Sequence, residues 1–440
     1  MKTIRPAFLR ALCLIALFGS APSAISQRAF SLNIAGTNND GTVISWTSQS
    51  ATPVGDLLIL PQFVVQRSDD LHSWTSISDR LTAPVSKKLL FTDTNATHAF
   101  YRVQSIIQED YAPLAGATLN SGQLTGADFF GADLFGASLQ NAALAGAEFA
   151  GADLRNADFS SANLRGAHLF AAFGSQTTFD SSDLTGADCS FGNFEASSFF
   201  NCDLTGVDFS SATLDNVDFD FAFLKDVQLD ANTRIDPKPK LIWQLVNSGA
   251  TNAVLTNADL SFGVFLNVSF EGAKLNNAEL AAAQFSNADL RGANFTGADT
   301  RFIDLRGAQM DGTTIIDLKS RLVWQILNQN AGVGADFHGQ DFSATLLPGA
   351  DFRGANLTNI ICTSIICETA NFGNANLTKA NFNSGDLAGA VLTNANLTQV
   401  NFSFADFTGA NLRNATTNGA VFSGAVFSNT IMPDGSIRNF

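Results

Sequence analysis

The sequence predicts an all-β chain: a solenoid of short coils, interrupted by two short helices and preceded by a small β-sandwich. Three observations carry this. A five-residue step runs, with pauses, from Leu114 almost to Phe440. Residues twenty apart along it match in kind. Residues 28–107 lack the step and show short alternating runs instead.

The step reads Gly126-Ala127-Asp128-Phe129-Phe130, then Gly131-Ala132-Asp133-Leu134-Phe135, then Gly151-Ala152-Asp153-Leu154-Arg155. A small residue is followed by Asp or Asn, then Leu or Phe, then two variable residues. A period of five fits neither a helix nor a strand. A fixed short period instead marks units that pack only on their neighbours. The small residue and the Leu or Phe two beyond it are the candidates to point inward. The Asp or Asn between them then points outward. This pattern resembles the pentapeptide-repeat family, whose motif is Ala-Asp/Asn-Leu-X-X, over roughly residues 112–432. The resemblance implies a right-handed, quadrilateral β-helix with one pentapeptide per side and twenty residues per coil.

The twenty has support of its own. Every fourth centre from Leu124 is Leu: Leu144, Leu164, Leu184, Leu204 and Leu224. The column from Leu119 reads Leu139, Phe159, Phe179, Phe199, Phe219. Such residues would stack like on like, about 4.8 Å apart. With 39 Phe and only 2 Tyr, the composition fits rings stacked in a dry interior. The step weakens at Gly174, which reads as a bulge or loop.

Taken in order, residues 1–26 read as a secretory signal. Lys2, Arg5 and Arg10 precede an apolar stretch, residues 11–18, too short to span a bilayer. Ala24-Ile25-Ser26 is a cleavage site of the expected kind, and the implied location is periplasmic or extracellular. No later stretch is long enough for a membrane span. Residues 28–107 carry alternating runs at 31–34, 42–47, 63–67, 74–77, 89–92 and 100–104, separated by turn residues, as in a small sandwich. The stretches Val65-Gln66-Arg67-Ser68-Asp69-Asp70-Leu71-His72-Ser73-Trp74-Thr75 and Phe91-Thr92-Asp93-Thr94-Asn95-Ala96, then Phe100-Tyr101-Arg102-Val103, resemble a fibronectin-type-III-like module of secreted bacterial proteins. Trp74 and Tyr101 would be core residues there, and residues 50–60 a loop insertion.

The first array of steps covers residues 112–230, the second 255–315 and the third 335–440 with a closing tail. Their 24, 13 and 20 centres would stack, if continuous, to about 70 Å. The segments between them, 231–254 and 316–334, contain Asp236-Pro237-Lys238-Pro239-Lys240-Leu241-Ile242-Trp243 and, 81 residues on, Asp317-Leu318-Lys319-Ser320-Arg321-Leu322-Val323-Trp324. Each has an Asp at the N-cap position and apolar residues at helical spacing; the first has Pro just inside its start. Both read as amphipathic helices that dock Trp243 and Trp324 on the solenoid and cap a block. The alternative is an exposed helix that binds a partner. The tail Met432-Pro433-Asp434-Gly435-Ser436 has turn chemistry and is placed to close the last coil, where open strand edges invite aggregation.

The formal net charge is −15. Residues 1–111 carry 9 basic against 8 acidic side chains, the remainder 16 against 32, so the acidity lies in the solenoid. Direct nucleic-acid binding is disfavoured, since phosphates would be repelled. Cys189, Cys362 and Cys367 take centre positions and Cys202 an inward small position. They read as buried thiols, with a Cys362–Cys367 disulfide as the alternative; no Cys or His cluster has zinc spacing. Neither His72, His98, His168 nor His338 joins a catalytic arrangement. The abundant Asp and Asn fall at the outward position of the repeat, and triplets such as Asn356-Leu357-Thr358 follow from it too. No cofactor is expected.

One outer feature stands apart. Asp128, Glu148, His168, Asp188 and Asp208 are twenty apart and form one outward column. It reads either as a solvated face or as a surface whose field attracts a basic partner. The function this favours is an exported structural or protein-binding scaffold without catalysis. A second reading comes from the resemblance: some pentapeptide-repeat proteins are acidic rods that imitate duplex DNA and bind a topoisomerase or another DNA-binding protein. The acidity fits, but the signal segment argues for export, and the helices and sandwich depart from a plain mimic.

Overall fold

The computed structural model describes residues 114–439, together with strands lying within residues 31–105. The signal segment and the side chains around Trp74, Tyr101, His72 and His98 lie outside the described residues. Contacts divide the chain into one unit of residues 1–219 and 226–236 and another of residues 220–225 and 237–440.

The N-terminal strands all pair antiparallel. β1 (Ser31–Asn38), β2 (Gly41–Thr47) and β8 (Lys88–Asp93) form one sheet with β2 central. β5 (Gln62–Ser68) pairs with β6 (Thr75–Ser76), β7 (Leu81–Thr82) and β9 (Phe100–Ser105) in another. The expected loop at 50–60 carries a hairpin instead: β3 (Thr52–Val54) pairs with β4 (Leu57–Ile59). Gly55-Asp56 between them is two-residue hairpin chemistry.

In the rest of the first unit, parallel bridges join residues twenty apart and recur every five residues along each coil. Thr118 pairs with Ser138, Gln123 with Ala143, Asp128 with Glu148, and Asp133 with Asp153. Each outward residue bonds the coil before it through both its N–H and its carbonyl, at the two residues that flank its bridge partner. Glu148 N donates to Ala127 O at 2.8 Å, and Glu148 O accepts from Phe129 N at 2.7 Å. A turn follows each centre, closed by the next small residue, as Ala152 N donates to Phe149 O at 2.9 Å. The residue just before that small one holds φ near +60°, for example Gly151 at 64° and Asn156 at 59°. This is the third position of a type II turn, which Gly and Asn tolerate best. The second of the "variable" residues is therefore constrained.

The inward register is as the spacing predicts. Leu124, Leu144, Leu164, Leu184, Leu204 and Leu224 are all buried. Phe159, Phe179, Phe199 and Phe219 stack ring on ring, with centroids 5.2, 4.7 and 5.6 Å apart. Gly174 departs from expectation. It makes no bulge: the bridges run unbroken through Phe173 and Asn193. It is an inward centre whose missing side chain gives space to Phe194, one coil on.

Polar groups at the small inward position find partners, as buried groups must. Thr177 Oγ1 donates to Leu154 O and Ser197 Oγ to Gly174 O, both at 2.6 Å. Cys202 Sγ lies 2.8 Å from Phe179 O. Cys189, Cys202, Cys362 and Cys367 are buried free thiols, so the Cys362–Cys367 disulfide is not formed. Burial pushes the Cys202 thiol up to about 12.

The second unit contains two helices, α1 (Pro237–Ser248) and α2 (Leu318–Gln329), and the bridged coils that follow each. Asp317 caps α2 by accepting from Ser320 N at 3.0 Å. Trp324 is buried and its Nε1 donates to Ala308 O at 2.6 Å. Asn328 Nδ2 donates to Leu305 O at 2.9 Å, and its Oδ1 accepts from Gly307 N at 2.6 Å. The opposite side of α2 places Val323 and Ile326 in one core with Phe337, Phe342 and Leu347. Lys319 Nζ reaches Ser343 O at 2.8 Å. The helix therefore joins two blocks of coils rather than ending one. At this junction Phe302 N also donates directly to Ala344 O, at 2.9 Å. In α1 the same device recurs with Asn247 Nδ2 on Leu224 O at 2.9 Å and Lys238 Nζ on Asp220 at 3.3 Å. Trp243 is only half-buried there. Near the C terminus, Thr430–Ile431 pairs antiparallel with Ile437–Arg438, and the Arg438 guanidinium sits 4.1 Å from the Phe427 ring centroid.

Candidate functional site

The outward position is structural before it is anything else. Its side-chain oxygen accepts the backbone N–H two residues on, fixing the start of the turn. Asp128 Oδ1 accepts from Phe130 N at 3.1 Å, Glu148 Oε1 from Ala150 N at 3.1 Å, and Asp188 and Asp208 from Ser190 N and Ser210 N at 3.0 and 2.8 Å. Asn serves equally, as at Asn193, which accepts from Glu195 N at 3.0 Å. The bond needs an oxygen, not a charge.

What happens to the charge depends on the residue two positions on. Where it is Arg, the pair closes on itself. Asp153 Oδ2 and Arg155 Nη2 are 2.6 Å apart; the same distance recurs at Asp289–Arg291 and Asp299–Arg301. In each, hydrogen bonds from the arginine hold the carboxyl below the usual carboxylate range. Asp304 is the buried case: burial alone would raise it, but Arg306, a backbone N–H and Ser286 outweigh that and lower it.

In the candidate column the residues two on are Phe130, Ala150, Phe170, Ser190 and Ser210, none of them basic. The structure places all five predicted residues in consecutive register, with bridges Asp128–Glu148, Glu148–His168, His168–Asp188 and Asp188–Asp208. His168 is exposed and the four carboxylates are half-buried. Glu148, Asp188 and Asp208 enter no ion pair among the described residues. These three carboxylates thus carry negative charge with no basic partner among the described residues. Among the described residues no group of His, Cys, Asp or Glu could hold a metal ion, and no helix is long and apolar enough to cross a membrane.

One feature escaped the sequence reading. Phe170, Phe173 and Phe191 occupy outward positions and are 43%, 56% and 61% exposed, and the Phe170 and Phe191 rings lie 5.5 Å apart. Phe at outward positions of the repeat was the available signal.

Among solved structures, HetL from the cyanobacterium Nostoc sp. strain PCC 7120, a pentapeptide repeat protein involved in heterocyst differentiation regulation, is 23% identical. The match covers 68% of this chain and 91% of that one, with a TM-score of 0.18. A pentapeptide repeat protein from the Arabidopsis thaliana thylakoid lumen is 26% identical over 25% of this chain and 74% of that one, TM-score 0.18. Trypsin-treated QnrB1, a plasmid-mediated fluoroquinolone resistance protein, is 21% identical over 47% and 98%, TM-score 0.21. No curated protein matches the chain. The family described as pentapeptide repeats matches in eight copies, over residues 132–169, 193–229, 253–292, 283–317, 333–359, 370–409 and 405–439. These spans take in more than half of the chain, and the protein belongs to the pentapeptide-repeat family, whose fold is a right-handed β-helix solenoid.

Proposed function

We propose that this protein is an exported, non-catalytic scaffold that binds another protein through the outer surface of its solenoid. The observation that carries the reading is the column Asp128, Glu148, His168, Asp188, Asp208: an unbroken line whose carboxylates have no arginine two residues on to neutralise them. A partner with a basic face suits it best. The four bridges per twenty residues support the quadrilateral form of the coil. The two antiparallel N-terminal sheets support a sandwich of fibronectin-type-III-like kind. Export rests on Lys2, Arg5 and Arg10 ahead of the apolar residues 11–18.

The acidity supports a second reading, a DNA-mimic rod that binds a topoisomerase or another DNA-binding protein in the cytoplasm. N-terminal sequencing of the native protein separates the two. A mature start near Gln27 is the expected result; a protein beginning at Met1 would end the export reading and favour the mimic.

A further inference from the structure

The exposed rings lie beside the acidic column. Phe170 is two residues beyond His168, and Phe191 three beyond Asp188, so both sit at the turn that follows the column; Phe173 stands on the next face. Phe191 holds φ at 58°, where its column neighbours are Gly131, Gly151, Ala171 and Ser211. A bulky side chain in the left-handed region is strained, here as at Phe221, Phe262, Phe302 and Phe404, which hold the same turn position elsewhere in the repeat. The ring adds nothing to the interior, being 61% exposed. Glu148 and Asp188 each spend one oxygen on the turn, and among the described residues the other accepts no hydrogen bond.

Aromatic faces next to free carboxylate oxygens suit one chemistry above others, a planar cation. A guanidinium can lie within about 6 Å of a ring while its N–H groups reach a carboxylate. Anionic partners are opposed by the same field. We infer that Phe170 and Phe191, with Glu148 and Asp188, form a docking site for an arginine-bearing extended segment of a partner protein. This rests on the reading of the acidic column as a binding surface and gives it a specific anchor: the column attracts, the rings hold.

The test uses the full mature chain and a labelled peptide of alternating arginine and glycine, followed by fluorescence anisotropy across a salt series. The double variant Phe170→Ser, Phe191→Gly should weaken binding about tenfold. Its melting temperature should stay level or rise, because glycine relieves the strain at position 191. The variant Glu148→Gln, Asp188→Asn should weaken binding mainly at low salt. If the aromatic variant binds as tightly as wild type while the carboxylate variant does not, the docking site is refuted and the acidic column survives. If neither variant changes binding, or wild type does not bind, both fail.

Discussion

Phe194 fills the space that a side chain at Gly174 would need: a Cβ on Gly174 would fall 2.5 Å from Phe194 Cδ1. The other centres of this column are Leu114, Leu134, Leu154 and Leu214, all buried. One coil has given up its side chain so that the next can hold a ring, which packs edge-on against Phe199 and Phe209 at 5.9 and 6.0 Å. Gly174→Ala should therefore destabilise by about 1–3 kcal/mol, the range for overpacked interiors. A denaturant melt of the variant is the check; a loss no larger than that of a surface substitution would show that the ring can move aside.

The inward and outward positions should separate cleanly by substitution. Leu204 is fully buried, and Leu204→Ala should cost about 2–5 kcal/mol. His168→Ala, at an exposed position, should change stability by less than about 0.5 kcal/mol. Equal losses in parallel melts would mean that the register is wrong.

The α2 clasp makes a third case. Asn328 bonds the backbone of Leu305 and Gly307 as well as that of Trp324. Asn328→Ala leaves those groups unmatched and should cost about 1–3 kcal/mol. Hydrogen exchange should show faster opening in the helix first, since neighbouring coils keep their own contacts.

Asp304 ties stability to pH. Its carboxyl is held below its ordinary value of 3.8 in the folded protein. A lowered folded value means that its contribution is present above the unfolded value and is lost as pH falls through the folded one. Stability should decline as pH drops below about 4. The variant Asp304→Asn should be less stable at neutral pH and flatter across that acid range in pH-resolved melts.

Much of the architecture was legible because the solenoid is nearly one-dimensional. Each residue's environment is set by residues twenty away, so the identity of Leu124, Leu144 and Leu164 was itself a contact map. Gly174 was misread because glycine is locally a turn signal, while its reason lies in Phe194. Gly55-Asp56 was a hairpin signal passed over inside an expected loop. Trp243 and Trp324 looked equivalent; the first is only half-buried and the second fully docked, a difference of packing that 81-residue similarity does not record. The register of the column from Asp128 to Asp208 was legible in the spacing of twenty, but that no arginine stands two residues on from its carboxylates came from reading further along each step. The exposed Phe cluster was hidden among 39 phenylalanines, most of them counted as core.

The central claim is that uncompensated charge on one outer line binds a basic partner. The direct measurement compares wild type with the quadruple variant Asp128→Asn, Glu148→Gln, Asp188→Asn, Asp208→Asn for retention on immobilised basic proteins. The variant keeps every turn-forming oxygen, so the fold should persist. Wild type should be retained at low salt and released as the screening length falls from about 30 Å at 0.01 M to about 8 Å at 0.15 M, with the variant released well before it. Indistinguishable retention at every salt concentration would contradict the account and leave the column a solvated face.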